Sequence, residues 1–229
     1  ALMRRRLRRA SVPLVLSPLG QLMPEAYRVR RWKKAPYLRV VAPWLRGAWF
    51  HVFGPAEGAA LEARFAGAPR FEAPLGVYPC PQGVRRQSGG SARGDVTFVF
   101  MGRNDVRQKG IDLLLEAFAI AARGDARCRL SIAGSPWKDS ADRIAALARR
   151  LGVEGRVRLA GPLDEEGKWR LLGEADYLVF PSRWDGPPRP VREALSVGLP
   201  VVVTPETNLG HLVQDHGAGL QVALQPEAI

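Results

Sequence analysis

Cysteine and histidine are scarce in this chain of 229 residues. There are two cysteines, Cys80 and Cys128, and three scattered histidines, His51, His211 and His216. No pair of them has metal-ligand spacing and no disulfide framework can be drawn. A zinc module and a disulfide-stapled secreted scaffold are therefore excluded, and a reducing, cytoplasmic compartment is the simplest reading. Long apolar runs are missing too. No stretch approaches the ~20 residues that a membrane-spanning helix requires. The third shortage is of acid near the start: within residues 1–50 twelve arginines and lysines stand against Glu25 alone, so this segment carries nearly all of the net charge of +12. A block of this kind suits an anionic surface. No nucleic-acid-binding motif accompanies it, and Tyr27, Trp32, Tyr37 and Trp44 look amphipathic rather than like a stacking platform for bases. Residues 1–50 thus read equally as a patch for an anionic membrane face or as a solvated basic helix, and not as a nucleic-acid site.

What is present in quantity is alternation. From residue 96 onward, apolar strand-like runs near 96–101, 129–133, 157–160, 177–180, 200–204 and 219–222 alternate with helical sequence near 110–123, 140–151, 165–173, 189–197 and 208–214. Asp139 and Asp164 stand at expected helix N-caps and Gly152 at a C-cap. Leu114, Ala117, Phe118 and Ala121 form a core-facing stripe on the first of these helices. The pattern predicts an α/β domain with a doubly wound parallel sheet in the order 3-2-1-4-5-6. Before it, residues 78–95 (YPCPQGVRRQSGGSARGD) have the composition of a polar linker. Earlier still, the sequence predicts strands near 12–17 and 48–53, polar helical sequence over 25–34, a second helix over 37–46 and a short helix over 56–65. The domain expectation is thus 1–77, a linker at 78–95, and 96–229. Ala1 is not an initiator methionine, and RRRLRR is not followed by a signal-peptide core, so the start reads as internal to a longer protein.

Two loops carry the chemistry. In VTFVFMGRNDVRQKG (96–110) a strand runs into Gly102 and Arg103, and Lys109-Gly110 opens a helix. Two cations six positions apart across one strand-to-helix loop can reach a single anion at a helix N-terminus, where free N–H groups already favour negative charge. In FPSRWDGPPRPVREALSVGLPVVVT (180–204) a strand ends in a loop holding Asp185, and a short helix holds Glu193. Singly, each acid would read as a helix cap or a solvated side chain. At the carboxyl ends of parallel strands they face the crevice where ligands bind, and carboxylates suit the vicinal hydroxyls of a sugar or ribose.

These stretches resemble the donor-binding half of glycosyltransferase family 4, the retaining transferases of GT-B fold. The Arg after the first strand, the Lys-Gly opening the first helix and the Glu-x7-Glu segment appear here as Arg103, Lys109-Gly110 and Asp185…Glu193. The framing segments LSIAGS (130–135), VRLAGPL (157–163), EADYLVFPS (174–182) and EALSVGLPVVVT (193–204) also match, so the likeness runs in order over about 125 residues. It implies a GT-B architecture, with a partial acceptor-side Rossmann-like domain ahead of the nucleotide-sugar-binding one. It further implies transfer of a hexose, with retention and without metal or other cofactor, from a UDP- or GDP-sugar to a hydroxyl of a glycan or lipid-linked acceptor. Polysaccharide biosynthesis at the inner face of the cytoplasmic membrane is the setting it suggests. Under the resemblance Arg103, Lys109 and Asp185 are the catalytic residues. Donor binding falls to Gly102, Arg103, Lys109, Asp185, Gly186, Arg189, Val191 and Glu193. The Arg and Lys hold the diphosphate, Glu193 the ribose and Asp185 the transferred sugar.

Two departures stand out. Asp185 replaces the usual Glu, one methylene shorter, and Pro187, Pro188 and Pro190 offer no N–H where the family's loop donates from its backbone. In the first domain, SPLGQL (17–22) places Leu19 where a similar family segment has His. The chain as it stands is expected to bind donor without transferring sugar. The competing expectation is a non-catalytic nucleotide-sugar-binding module or degenerate subunit. A GT-B epimerase would need catalytic acids and histidines for which only three His are present.

Overall fold

The computed structural model describes residues 12–77, 80, 81, 84 and 94–229. Most of the expected linker lies outside them, as does the arginine cluster at residues 4–9. The chain divides into two compact units between Gly76 and Val77.

The first unit holds a three-stranded parallel sheet of β1 (Val15–Leu16), β2 (Trp49–Val52) and β3 (Arg70–Glu72), in that order. Its helices are α1 (Pro24–Arg28), α2 (Arg31–Leu45) and α3 (Pro55–Glu62). Leu22, Phe50, Val52, Ala60 and Leu61 form its core. Two expectations change here. The break between the first two helices falls at Val29–Arg30, where Arg30 is left-handed (φ 56°), and α2 then runs unbroken through Pro36 and Pro43. Both prolines are exposed, as are Trp32 and Arg39 four residues before them, so water can meet the carbonyls that lose their helical donors. The strand β3 was not expected at all; its three residues are exposed and carry no apolar alternation.

The second unit is a six-stranded parallel sheet. Its strands are β4 (Val96–Met101), β5 (Cys128–Ala133), β6 (Val157–Gly161), β7 (Tyr177–Phe180), β8 (Val201–Val203) and β9 (Gly219–Gln221). The order β6-β5-β4-β7-β8-β9 is the expected 3-2-1-4-5-6. Helices α4 (Ile111–Gly124), α5 (Ser140–Arg150), α6 (Glu165–Glu174), α7 (Arg189–Ser196) and α8 (Gly210–Asp215) fill the crossovers or follow β8. The strands read as continuous apolar runs because helices cover both faces of a parallel sheet. At the centre, Phe100 of β4 and Phe180 of β7 are fully buried and stack with centroids 5.4 Å apart. On α4 the stripe is Ile111, Leu114, Leu115, Phe118 and Ala122; Ala121 points outward. Asp164 caps α6 by accepting from the Gly167 N–H at 2.8 Å. Asp139 stands at the N-cap of α5 but its side chain makes no cap bond. The preceding Lys138 is left-handed (φ 56°), and Ser140 Oγ instead accepts from the Trp137 N–H at 2.9 Å.

Candidate functional site

The strand order reverses between β4 and β7, and the loops leaving these two strands carry Gly102–Gly110 and Pro181–Pro188. An open α/β sheet binds ligands in the crevice outside the carboxyl ends of strands at such a switch point. Close backbone packing joins the loops. Gly110 is left-handed (φ 67°), and a Cβ there would lie 1.9 Å from the Pro181 carbonyl oxygen, so only glycine fits. Gly134 meets the same constraint against Gly102, where a Cβ would come within 1.7 Å of the carbonyl oxygen.

Side chains complete the junction. Lys109 and Asp185, 76 residues apart in sequence, form an ion pair whose side chains are 12% and 17% exposed. Burial pushes the Asp185 carboxyl above the ordinary aspartate range; Lys109 opposes this by charge and by hydrogen bonding, as do bonds from Ser182 and the Gly186 N–H. Ser182 Oγ lies within donating distance of the carbonyls of Gln108 (3.0 Å) and Trp184 (3.1 Å). Gln108 Nε2 donates to Trp184 O at 3.3 Å, and Arg183 grips Asp112 with two bonds of 2.7 and 2.9 Å. The loop after β8 joins from the other side: the Asp185 N–H donates to Glu206 O and Asn208 Nδ2 to Asp185 O, at 3.1 and 2.9 Å.

Arg103 is exposed on the first loop. It donates to Gln108 Oε1 at 2.7 Å, and its guanidinium lies over the Trp137 ring, 4.5 Å from the centroid. Glu193 on α7 is only 2% exposed and sits 3.0 Å from Lys168 Nζ on α6. Val191 is fully buried, and Arg189 is exposed in the first turn of α7. Pro188 and Pro190 begin α7 without donors. Thus Arg103, Lys109, Asp185 and Gly186 collect on the loops after β4 and β7, whereas Glu193 lies buried on α7 beside Lys168.

Four polar partners escaped the sequence reading. Gln108 and Ser182 tie the loops, Trp137 carries Arg103, and Lys168 holds Glu193. None belongs to a spacing pattern. Gln108 and Ser182 lie inside the segments VTFVFMGRNDVRQKG and EADYLVFPS, but nothing there marked them out. Among the described residues, no group of three His, Cys, Asp or Glu could hold a metal ion, and no helix is long and apolar enough to cross a membrane.

Comparison with known proteins gives concordant results. The sequence profile described as glycosyl transferases group 1 matches residues 95–229. A GDP-mannose:cellobiosyl-diphosphopolyprenol alpha-mannosyltransferase of Komagataeibacter xylinus is 30% identical over 127 residues, 55% of this chain and 32% of that protein. The structure of WaaG, a glycosyltransferase involved in lipopolysaccharide biosynthesis, superposes with a TM-score of 0.75 at 20% identity, covering 96% of this chain and 67% of that one. Anabaena HepE, solved in complex with UDP and glucose, gives 0.79 at 18% identity over 99% of this chain and 62% of its own. These structural likenesses establish a GT-B, Rossmann-like α/β fold. The chain spans about a third of the length of the mannosyltransferase.

Proposed function

The chain belongs to the glycosyl transferases group 1 family, whose profile covers more than half of it, and on that premise we propose that it carries the donor site of a retaining hexosyltransferase of family 4. The donor is a UDP- or GDP-sugar, and the acceptor is a hydroxyl of a glycan or lipid-linked carrier in polysaccharide synthesis. One observation carries the reading. Lys109 and Asp185 meet at the reversal of strand order, with Arg103 on the same loop as Lys109.

The chemistry follows from these groups. The bond from the anomeric carbon to the diphosphate oxygen breaks, and a bond to the acceptor oxygen forms on the same face. The acceptor proton passes to the leaving phosphate. Arg103 and Lys109 stabilise the charge gathering on the diphosphate, the part a divalent metal plays elsewhere. Asp185 accepts from the sugar ring and Glu193 from the ribose; Gly102, Gly186 and the start of α7 (Arg189, Val191) border the donor. No protein nucleophile is needed.

Helix α2 supports a peripheral place on an anionic membrane, at its cytoplasmic face. Trp32, Tyr37, Val40 and Trp44 are exposed there among Arg31, Lys33 and Arg39, and aromatic and basic side chains together suit a headgroup layer. A second reading, a nucleotide-sugar-binding module without turnover, draws on the loop whose Pro187, Pro188 and Pro190 offer no N–H. Thermal shift with UDP, GDP, ADP and their sugars, followed by radiolabelled transfer with the full-length protein, tests both. Stabilisation by one nucleotide with turnover supports the transferase. Stabilisation without turnover supports the module, and stabilisation by none refutes the donor site.

A further inference from the structure

Glu193 is the one charged member of the expected site that is almost wholly buried, and what holds it is a lysine from another helix. Lys168 Nζ donates to Glu193 Oε1 at 3.0 Å and to both oxygens of Glu165, at 2.8 and 2.7 Å. The same ammonium lies 4.7 Å from the centroid of the Trp169 ring, and the Lys168 side chain is only 12% exposed. A lysine ammonium is ordinarily a mobile point charge on a four-carbon stem. Here its donors are taken up on two sides, and the helix bearing it is pinned at its start by the Asp164 cap. Glu193 Oε2 has no hydrogen-bond partner among the described residues.

We propose that Lys168 is a positioning residue for ribose recognition: it fixes one oxygen of Glu193 and thereby presents the other to the ribose 2′-hydroxyl of the bound nucleotide. This rests on the reading above that Glu193 takes the ribose. A carboxylate with one oxygen anchored keeps a single orientation, so a hydroxyl at the right place gains a bond without the cost of freezing the side chain. The charge is secure as well. Burial alone pulls the Lys168 ammonium down, but its bonds to Glu165 and Glu193 outweigh that and hold it above its ordinary range. Glu165, 73% exposed, is the outer stay of the arrangement.

A purely structural ion pair would affect stability and all nucleotides alike. A positioning pair affects the 2′-hydroxyl. The test is the ratio of affinities for UDP over 2′-deoxy-UDP, and for GDP over 2′-deoxy-GDP, measured by calorimetry on the full chain with melting curves alongside. In the better-binding pair, Glu193→Gln and Lys168→Met should each cut the ribose preference about tenfold while barely changing the affinity of the deoxy nucleotide. Lys168→Arg should keep most of the preference. Glu165→Gln, which loosens Lys168 without unpairing Glu193 and leaves the fold intact, should lower it about twofold. An unchanged ratio in Glu193→Gln overturns the ribose assignment and the proposal with it. A ratio lost in Glu193→Gln but kept in Lys168→Met and Glu165→Gln overturns the role of Lys168 alone.

Discussion

Replacing Asp185 by Asn should improve the binding of the bare nucleotide while spoiling that of the sugar nucleotide. Lys109, which the proposal directs at the diphosphate, is paired with Asp185, so phosphate must compete with a carboxylate for it. With side chains 12% and 17% exposed, the pair stands between an exposed ion pair, worth under ~1 kcal/mol, and a fully buried one. Freeing the ammonium should therefore return about 1 kcal/mol to phosphate binding, roughly a fivefold gain in UDP or GDP affinity. The sugar nucleotide loses the hydrogen bond from sugar to carboxylate, about 1.5–3 kcal/mol, which exceeds that gain. The preference for sugar nucleotide over bare nucleotide should thus shift about ten- to a hundredfold toward the bare form. Calorimetry with UDP against UDP-glucose, and GDP against GDP-mannose, reads both numbers. The loop should hold, because Asn208 and Glu206 grip Asp185 through its backbone. If Asp185→Asn weakens bare and sugar nucleotides equally, Asp185 organises the loop and touches no sugar, and the reasoning fails.

Other outcomes follow from the same site. Lys109→Ala and Glu193→Gln should each weaken nucleotide diphosphate binding about ten- to a hundredfold in calorimetry, the worth of one charge-assisted bond. Transfer by the full-length protein should persist in EDTA; loss with EDTA and recovery with manganese would contradict charge compensation by Arg103 and Lys109. Burial already raises the Asp185 carboxyl against the opposition of Lys109, so Lys109→Met should raise it further in an NMR carboxyl titration. Its sign is fixed: a raised folded value means that ionising Asp185 costs stability as pH climbs through that value, and the variant should lose more there than the parent. Asp125, drawn down to about 2 by hydrogen bonds from Arg127, works in reverse, its contribution being present above the ordinary aspartate value and lost as pH falls toward 2. Gly110→Ala should cost about 3 kcal/mol or more in thermal unfolding, since it adds left-handed strain to a clash with backbone.

The second unit was legible because its signals are local and repeated. Six apolar runs separated by helical sequence leave little choice of topology, and the order of the sheet follows from rules of connection. The first unit was less so. Arg70–Glu72 pairs with β2 through its backbone and one ring contact, Phe71 stacked on His51, and with all three residues exposed no buried face marks it. Helix α2 absorbs Pro36 and Pro43 on a solvated side, whereas the sequence reading carried a helix through Pro43 but broke the chain at Pro36 into helices over 25–34 and 37–46. The charged positions of the site were visible through their spacing and a resemblance. The partners of those charges were not. Gln108, Trp137 and Ser182 make contacts that depend on how two loops from different strands settle, and sequence separation hides such pairs.

The two acids lie eight positions apart in sequence, yet the fold gives them different surroundings. Asp185 lies on the loop at the switch point, paired with a lysine from the β4 loop, and under the proposed function that lysine is also the one that meets the diphosphate. Glu193 lies inside α7, with a lysine from α6 that is committed on both sides and has no other task. An exchangeable pairing suits a group whose ligand arrives and departs as sugar is transferred. A fixed pairing suits one that must recognise the same ribose in substrate and product alike. Under the proposed donor site the shorter side chain at 185 fits this division, because a carboxylate that reaches one methylene less far would stay with Lys109 until a donor separates them. Asp185→Glu should therefore leave bare nucleotide affinity within about twofold of the parent and alter the sugar nucleotide by more. Equal changes in both would remove the distinction between the two acids.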